Sequence, residues 1–321
     1  MRLVMATTDF VGKVLAYPIY TNKGLIFMNP GYTLTEVAIQ RIRNIGIAYI
    51  YIEDEIGDTI DIVQALNDTI RLNVLEELQV FYSQIKKKKQ INEQQINKLA
   101  EMILNNVNIS ENAVLHNDYG VDDPISRLSV HCLDVAVRCV AGLRGRKENL
   151  DNVKKIILSS LLHDIGALVG SDKVNVTSFE MIKTQTNLPP TVYIPILHIH
   201  ERVDGTGPNK VPRERLYLNS QVLHIANNYS DLVQELNRPY EAMEALSAHA
   251  VGKFDLDVFR SIVNVIYCYP SGLMVKITGG KFGIICKQNI DFPTRPVLKL
   301  MDGSILDLMS NPSIFIETTL D

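Results

Sequence analysis

The stretch SLLHDIGALVG, residues 160–170, sets a histidine directly before an aspartate at the end of an apolar run. An imidazole and a carboxylate side by side become divalent-metal donors when other helices bring further donors to the same point. A lone histidine on a helix is more often a packed residue, so the neighbouring segments decide the reading. PISRLSVHCLDVAVRCVAGL (124–143) carries His131 in mid-helix. LDNVKKIILSSLLHD (150–164) ends on His163 and Asp164. PTVYIPILHIHE (190–201) ends on His198, His200 and Glu201 and runs into the glycine-rich RVDGTGP. NSQVLHIANNYSDLVQEL (219–236) and YEAMEALSAH (240–249) continue the helical period. Several donors in this order, followed by a glycine-rich loop, are less readily explained by packing alone.

Outward from this region the pattern changes. VLAYPIYT (14–21) and LIFM (25–28) read as strands joined by the turn Asn22-Lys23-Gly24. Thr33 and Glu36 have capping-box spacing ahead of a helical run that stops at Gly46, and IAYIYIED (47–54) reads as a third strand. Toward the other end, GLMVKIT meets FGIICKQN across Gly279-Gly280. VLKLM meets ILDLM across Asp302-Gly303, and IFIETTL follows. The expected organisation is a strand–helix–strand unit over 1–57, a helical linker over 58–118, a helical domain over 119–267 and a small β domain over 268–321. The fold class is mainly α.

The chain has 321 residues, 46% hydrophobic and 21% charged, a globular balance. Its net charge of −4 gives no reason to expect nucleic-acid binding. The run Lys86–Lys89 has no interleaved aromatic residues and reads as a solvated helix face. No apolar stretch is long enough for a membrane span, and Asp9 and Lys13 come too early for a signal peptide. Cys132, Cys139, Cys268 and Cys286 lack CxxC spacing and read as reduced thiols, which points to the cytoplasm.

LLHDIG (161–166), HERVDGTG (200–207), NRPY (237–240) and YPSGLMVKITGGKFGIICKQNIDFPTRPVLKL (269–300) occur in an order that resembles HD-GYP proteins, a branch of the HD superfamily of metal-dependent phosphohydrolases. The resemblance covers nearly the whole length. It implies an HD-type helical bundle core, a small α/β unit before it and a small all-β unit after it. It also implies a divalent metal, iron or manganese, and phosphodiester hydrolysis with cyclic di-GMP or another phosphoester as substrate. His131, His163, Asp164 and His200 match metal positions, and Asn227 stands where the family has an aspartate ligand. Asp164 and Glu201 match catalytic positions. Arg202, Asp204, Gly205, Gly207 and Arg238 match substrate-side positions.

Several residues depart from the pattern. Ile199 replaces a histidine, with His198 one residue off register, and Val174 replaces another. Ala167 replaces a lysine and Asp134 an arginine, while residues 207–209 read Gly-Pro-Asn and lack the tyrosine. Asp231, one turn beyond Asn227, is placed to compensate through a water. These losses favour one ion over two or three. Two functions follow: a one-metal phosphodiesterase of reduced activity in cyclic di-GMP signalling, or a catalytically inactive module that regulates by binding a ligand, a protein partner or a second copy through the helical linker. A helical protein whose histidines merely pack is the third and plainest reading.

Overall fold

The computed structural model describes all residues except 21–25, 46, 59, 61–62, 109–112, 115–122, 145, 147, 237, 290 and 321, so the turn at 22–24 and the stop at Gly46 lie outside the described residues. The chain divides into two compact units. One comprises Met1–Gln64, Ser110–Asp122 and Tyr267–Asp321, the other Ala65–Ile109 and Asp123–Ile266. The two terminal segments, read from sequence as separate units, therefore fall in one, and the helices of the expected linker belong to the helical unit.

In the first unit, β1 (Arg2–Met5) pairs antiparallel with β4 (Tyr49–Ile52). Between them in sequence come β2 (Ile19–Tyr20), β3 (Ile26–Met28) and α1 (Glu36–Asn44). Alternate apolar residues of these strands close over Ile39 and Ile42 of α1. The N-cap of α1 is Thr35, which accepts from Ala38 N–H at 3.1 Å, rather than Thr33, which is engaged in a bridge with Val14. Short strands β5 (Val63–Gln64) and β6 (Ala113–Val114) pair in parallel. Both expected hairpins form, as β7 (Met274–Ile277) with β8 (Lys281–Lys287) and β9 (Val297–Leu300) with β10 (Ile305–Asp307). With β11 (Ile316–Leu320) they make a sheet ordered β10-β9-β8-β7-β11. Leu3 N–H donates to the Gly272 carbonyl at 2.9 Å, which ties the N-terminal strand to this segment.

The helical unit begins with α2 (Asp68–Lys88) and α3 (Glu93–Asn106). Lys86–Lys88 occupy the last turn of α2, where cations meet the carbonyl end of the helix dipole, and Lys89 is its left-handed C-cap at φ 54°. Then follow α4 (Pro124–Arg144), α5 (Leu150–Leu162), the single turn α6 (Ile165–Leu168), α7 (Val174–Gln185), α8 (Pro190–Leu197), α9 (Leu218–Leu236), α10 (Pro239–Ala248) and α11 (Leu256–Val263). The centre is α4, packed by α2, α5, α9 and α11 and buried from Ser129 to Leu143. Gly166 is required where α6 meets α7, since a Cβ there would sit 2.3 Å from the Val174 carbonyl oxygen. Among the described residues no helix is long and apolar enough to cross a membrane.

A helix buried all round cannot leave charge unpaired. Arg71 of α2 reaches Asp134 of α4 at 3.1 Å. Arg138 lies 3.8 Å from the same carboxylate and donates to Ser230 Oγ at 2.9 Å. The arginine-to-aspartate departure at 134 is thus matched by a cation from α2. Removing one member of such a group strands buried charge. Asp134→Ala, which leaves Arg71 and Arg138 without this carboxylate, lowers unfolding free energy by about 3–5 kcal/mol in denaturant titration.

Candidate metal centre

α4, the end of α5 and α9 bring their polar side chains to one point. His131 Nε2 and His163 Nε2 lie 3.2 Å apart, and each is 2.9 Å from Asn227 Oδ1. Asp164 Oδ2 lies 3.4 Å from His163 Nε2 and 3.8 Å from His131 Nε2. His131, His163 and Asp164 form a group that could hold a metal ion. Donors on one ion with bonds of ~2.1 Å sit roughly 3.0 Å apart in an octahedron and ~3.4 Å apart in a tetrahedron. The observed separations therefore fit a single ion.

The donors are held in place by their backs. His163 Nδ1–H donates to the Ser160 carbonyl at 2.7 Å, which presents Nε2 to the centre. Asn227 Nδ2 donates to Asp231 Oδ2 at 2.9 Å, and this fixes its amide with Oδ1 toward the histidines. Asp231 Oδ1 lies 3.9 Å from His131 Nδ1. Tyr82 of α2, buried, donates its hydroxyl to the Leu161 carbonyl at 2.7 Å, two residues before His163. Burial and then His163 hold the His131 imidazole down at about 4. At His163 burial opposes charge but is outweighed by Asp164 and then Cys132, which raise it to about 10. Two facing imidazoles cannot both be charged, so one proton resides on His163.

The other expected residues occupy different positions. His200 lies in the turn after α8, is exposed, and stands outside the His131–His163–Asp164 group, its ring 6.2 Å from that of His224. Glu201 is 2% exposed, and loop backbone and side-chain groups hold both its oxygens. Asn209 N–H and Nδ2 donate to Oε1 at 2.7 and 3.0 Å, and Val211 N–H donates to Oε2 at 2.9 Å. Gly207 packs directly on it, since a Cβ there would lie 2.7 Å from Glu201 Cα. Asp204 accepts from Thr206 N–H and Oγ1 at 3.0 and 2.6 Å and pairs with Arg202 at 3.2 Å, while Gly205 takes φ +73°. Arg238, at the start of α10, pairs with Glu241 at 2.8 Å. The side chain replacing a histidine at Ile199 is 2% exposed, and His198 caps the end of α8. Sequence reasoning missed Tyr82 and the Ser160 carbonyl, and no residue pattern signals either.

Glu201 thus reads as the organiser of its loop. Glu201→Ala strands two backbone N–H groups, so the amides of Asn209 and Val211 exchange hydrogen about 5–100-fold faster, and limited proteolysis cuts between 205 and 212 sooner.

No family model matches the chain. The cyclic di-GMP phosphodiesterase PA4108 of Pseudomonas aeruginosa is 28% identical over 162 residues, covering 43% of this chain and 39% of that protein. The chain therefore spans well under half the length of this curated relative. Bd1817, an HDG"Y"P protein from Bdellovibrio bacteriovorus, aligns in three dimensions with a TM-score of 0.52 at 15% identity, over 81% of this chain and 97% of that one. The resemblance carried by LLHDIG, HERVDGTG and NRPY is borne out: the chain is similar to HD-GYP proteins in fold and in part of its sequence.

Proposed function

We propose that the chain is a metal-dependent phosphodiesterase of the HD-GYP type, acting on cyclic di-GMP or a related phosphoester, with one ion held by His131, His163, Asp164 and the amide oxygen of Asn227. The observation that carries this is the convergence of His131 Nε2, His163 Nε2, Asn227 Oδ1 and Asp164 Oδ2 at separations of 2.9 to 3.8 Å. Imidazole, carboxylate and amide donors suit iron or manganese. A divalent ion there supplies Lewis acidity toward water and a phosphoryl oxygen. Asp164, 36% exposed in its side chain, is the most accessible of the two histidines and this carboxylate, and it opens the centre to a ligand. Similarity to a cyclic di-GMP phosphodiesterase supports the substrate class.

A second reading rests on the buried Ile199 and on Glu201, whose oxygens are occupied by its loop. With these positions unable to serve a second ion, the chain acts as a module that binds a cyclic dinucleotide without cleaving it and regulates through a protein partner or a second copy.

Elemental analysis after manganese loading, with turnover of cyclic di-GMP, separates the readings. The phosphodiesterase takes up about one equivalent, and His163→Ala abolishes both uptake and turnover. Asn227→Asp tightens manganese, and Asp231→Ala, which frees the Asn227 amide to turn, weakens it about tenfold. Uptake below about half an equivalent with no turnover removes the enzyme reading. Ligand binding with one ion and no turnover selects the module.

A further inference from the structure

Lys253 belongs to none of the motifs that mark the centre, yet the fold brings its charge within electrostatic reach of Asp231, the carboxylate behind Asn227. The turn after α10 docks on the loop that follows His200 through two backbone hydrogen bonds. Val203 N–H donates to the Lys253 carbonyl at 3.2 Å, and Asp204 N–H donates to the Gly252 carbonyl at 3.1 Å. Gly252 is left-handed, at φ +76°, and a Cβ there would lie 3.1 Å from Asp204 Oδ2. This pairing sets Lys253 beside Arg202. The Lys253 ammonium lies 5.2 Å from the ring centre of Phe254, which is buried and meets His224 edge-on at 4.9 Å. His224 Nδ1–H in turn donates to the Glu201 carbonyl at 3.0 Å.

Among the described residues Lys253 forms no ion pair and its ammonium donates no hydrogen bond. Its charge acts on Arg202, on His200 and His224, and on Asp231, the carboxylate that orients Asn227. Burial and then Arg202 lower its ammonium pKa, as two adjacent cations require. The Arg202 guanidinium has one carboxylate partner, Asp204, at 3.2 Å, and its Nε is buried without a hydrogen bond. Arg202 has one exposed carboxylate partner and, among the described residues, the neighbouring Lys253 has none, so two adjacent, partly buried cations stand ready for an anion.

We propose that Lys253 and Arg202 form an anion subsite beside the candidate metal centre and take the phosphate of a phosphoester ligand. The identity of the ligand rests on the phosphodiesterase reading; the pairing of the cations does not. Arg202 offers a planar pair of N–H donors and Lys253 a point charge, so together they grip two oxygens of one phosphate.

The test is isothermal titration of the full chain with cyclic di-GMP and, separately, inorganic phosphate, with and without manganese. Lys253→Gln weakens both ligands about tenfold, Lys253→Arg stays within about threefold of the parent, and manganese content is the same in all three. Lys253→Gln binding as tightly as the parent overturns the subsite, and so does a parent chain that binds neither probe. A chain that takes up no manganese but loses phosphate binding on Lys253→Gln keeps the subsite and sinks the metal-dependent reading.

Discussion

Polar groups on a helix with no solvent face constrain everything around them. His131, Asp134 and Arg138 recur along α4 at spacings of three and four, one stripe of the helix, and all three are buried. A buried charge without a partner costs several kcal/mol, so each demands a group from another helix. Asp134 takes Arg71 from α2, Arg138 takes Ser230 from α9, and His131 takes Asn227 from α9 and His163 from the end of α5. Apolar packing alone tolerates a helix sliding by a fraction of a turn. These directional bonds do not, and they fix how α2, α5 and α9 stand around α4. The candidate centre and the helical core are therefore held by one polar stripe, read at different heights.

The same stripe shows what the sequence could and could not reveal. Helical periodicity and the turn pairs Gly279-Gly280 and Asp302-Gly303 were legible because their causes are local: side-chain spacing along a helix, and backbone freedom at a hairpin. The order His131, His163-Asp164, His200-Glu201 pointed to the centre, and its first three members converge while His200 stands outside their group. The segment containing α4 showed helical period and His131, but not which groups its polar residues meet. They face partners tens of residues away, which no local window contains. Leu3 bonding to Gly272 is non-local in the same way, and it unites terminal segments that composition separates. Glu201 looked catalytic because its residue type and place matched. Its real partners are chiefly backbone amides of 209 and 211, and a backbone amide has no signature in the sequence.

The substitution at Asn227 also has a physical logic once its neighbours are known. An amide oxygen donates to a cation more weakly than a carboxylate and brings no charge. The missing negative charge reappears one turn along α9 at Asp231, which binds the amide nitrogen and so aims the oxygen. The arrangement trades a charged donor for a neutral one held from behind. It still leaves two of four converging atoms, those of His163 and Asn227, on side chains whose reverse edges are hydrogen-bonded to a carbonyl or a carboxylate.

That anchoring bears on what occupies the centre. His163 Nε2 lies 2.9 Å from Asn227 Oδ1 and 3.4 Å from Asp164 Oδ2, facing the space where the donors meet. Asp164 and then Cys132 favour the charged imidazole against the burial that opposes it. An ion bound by His131, His163, Asp164 and Asn227 needs that Nε2 lone pair, so proton and ion exclude one another. Metal binding at His163 therefore competes with protonation of the same nitrogen.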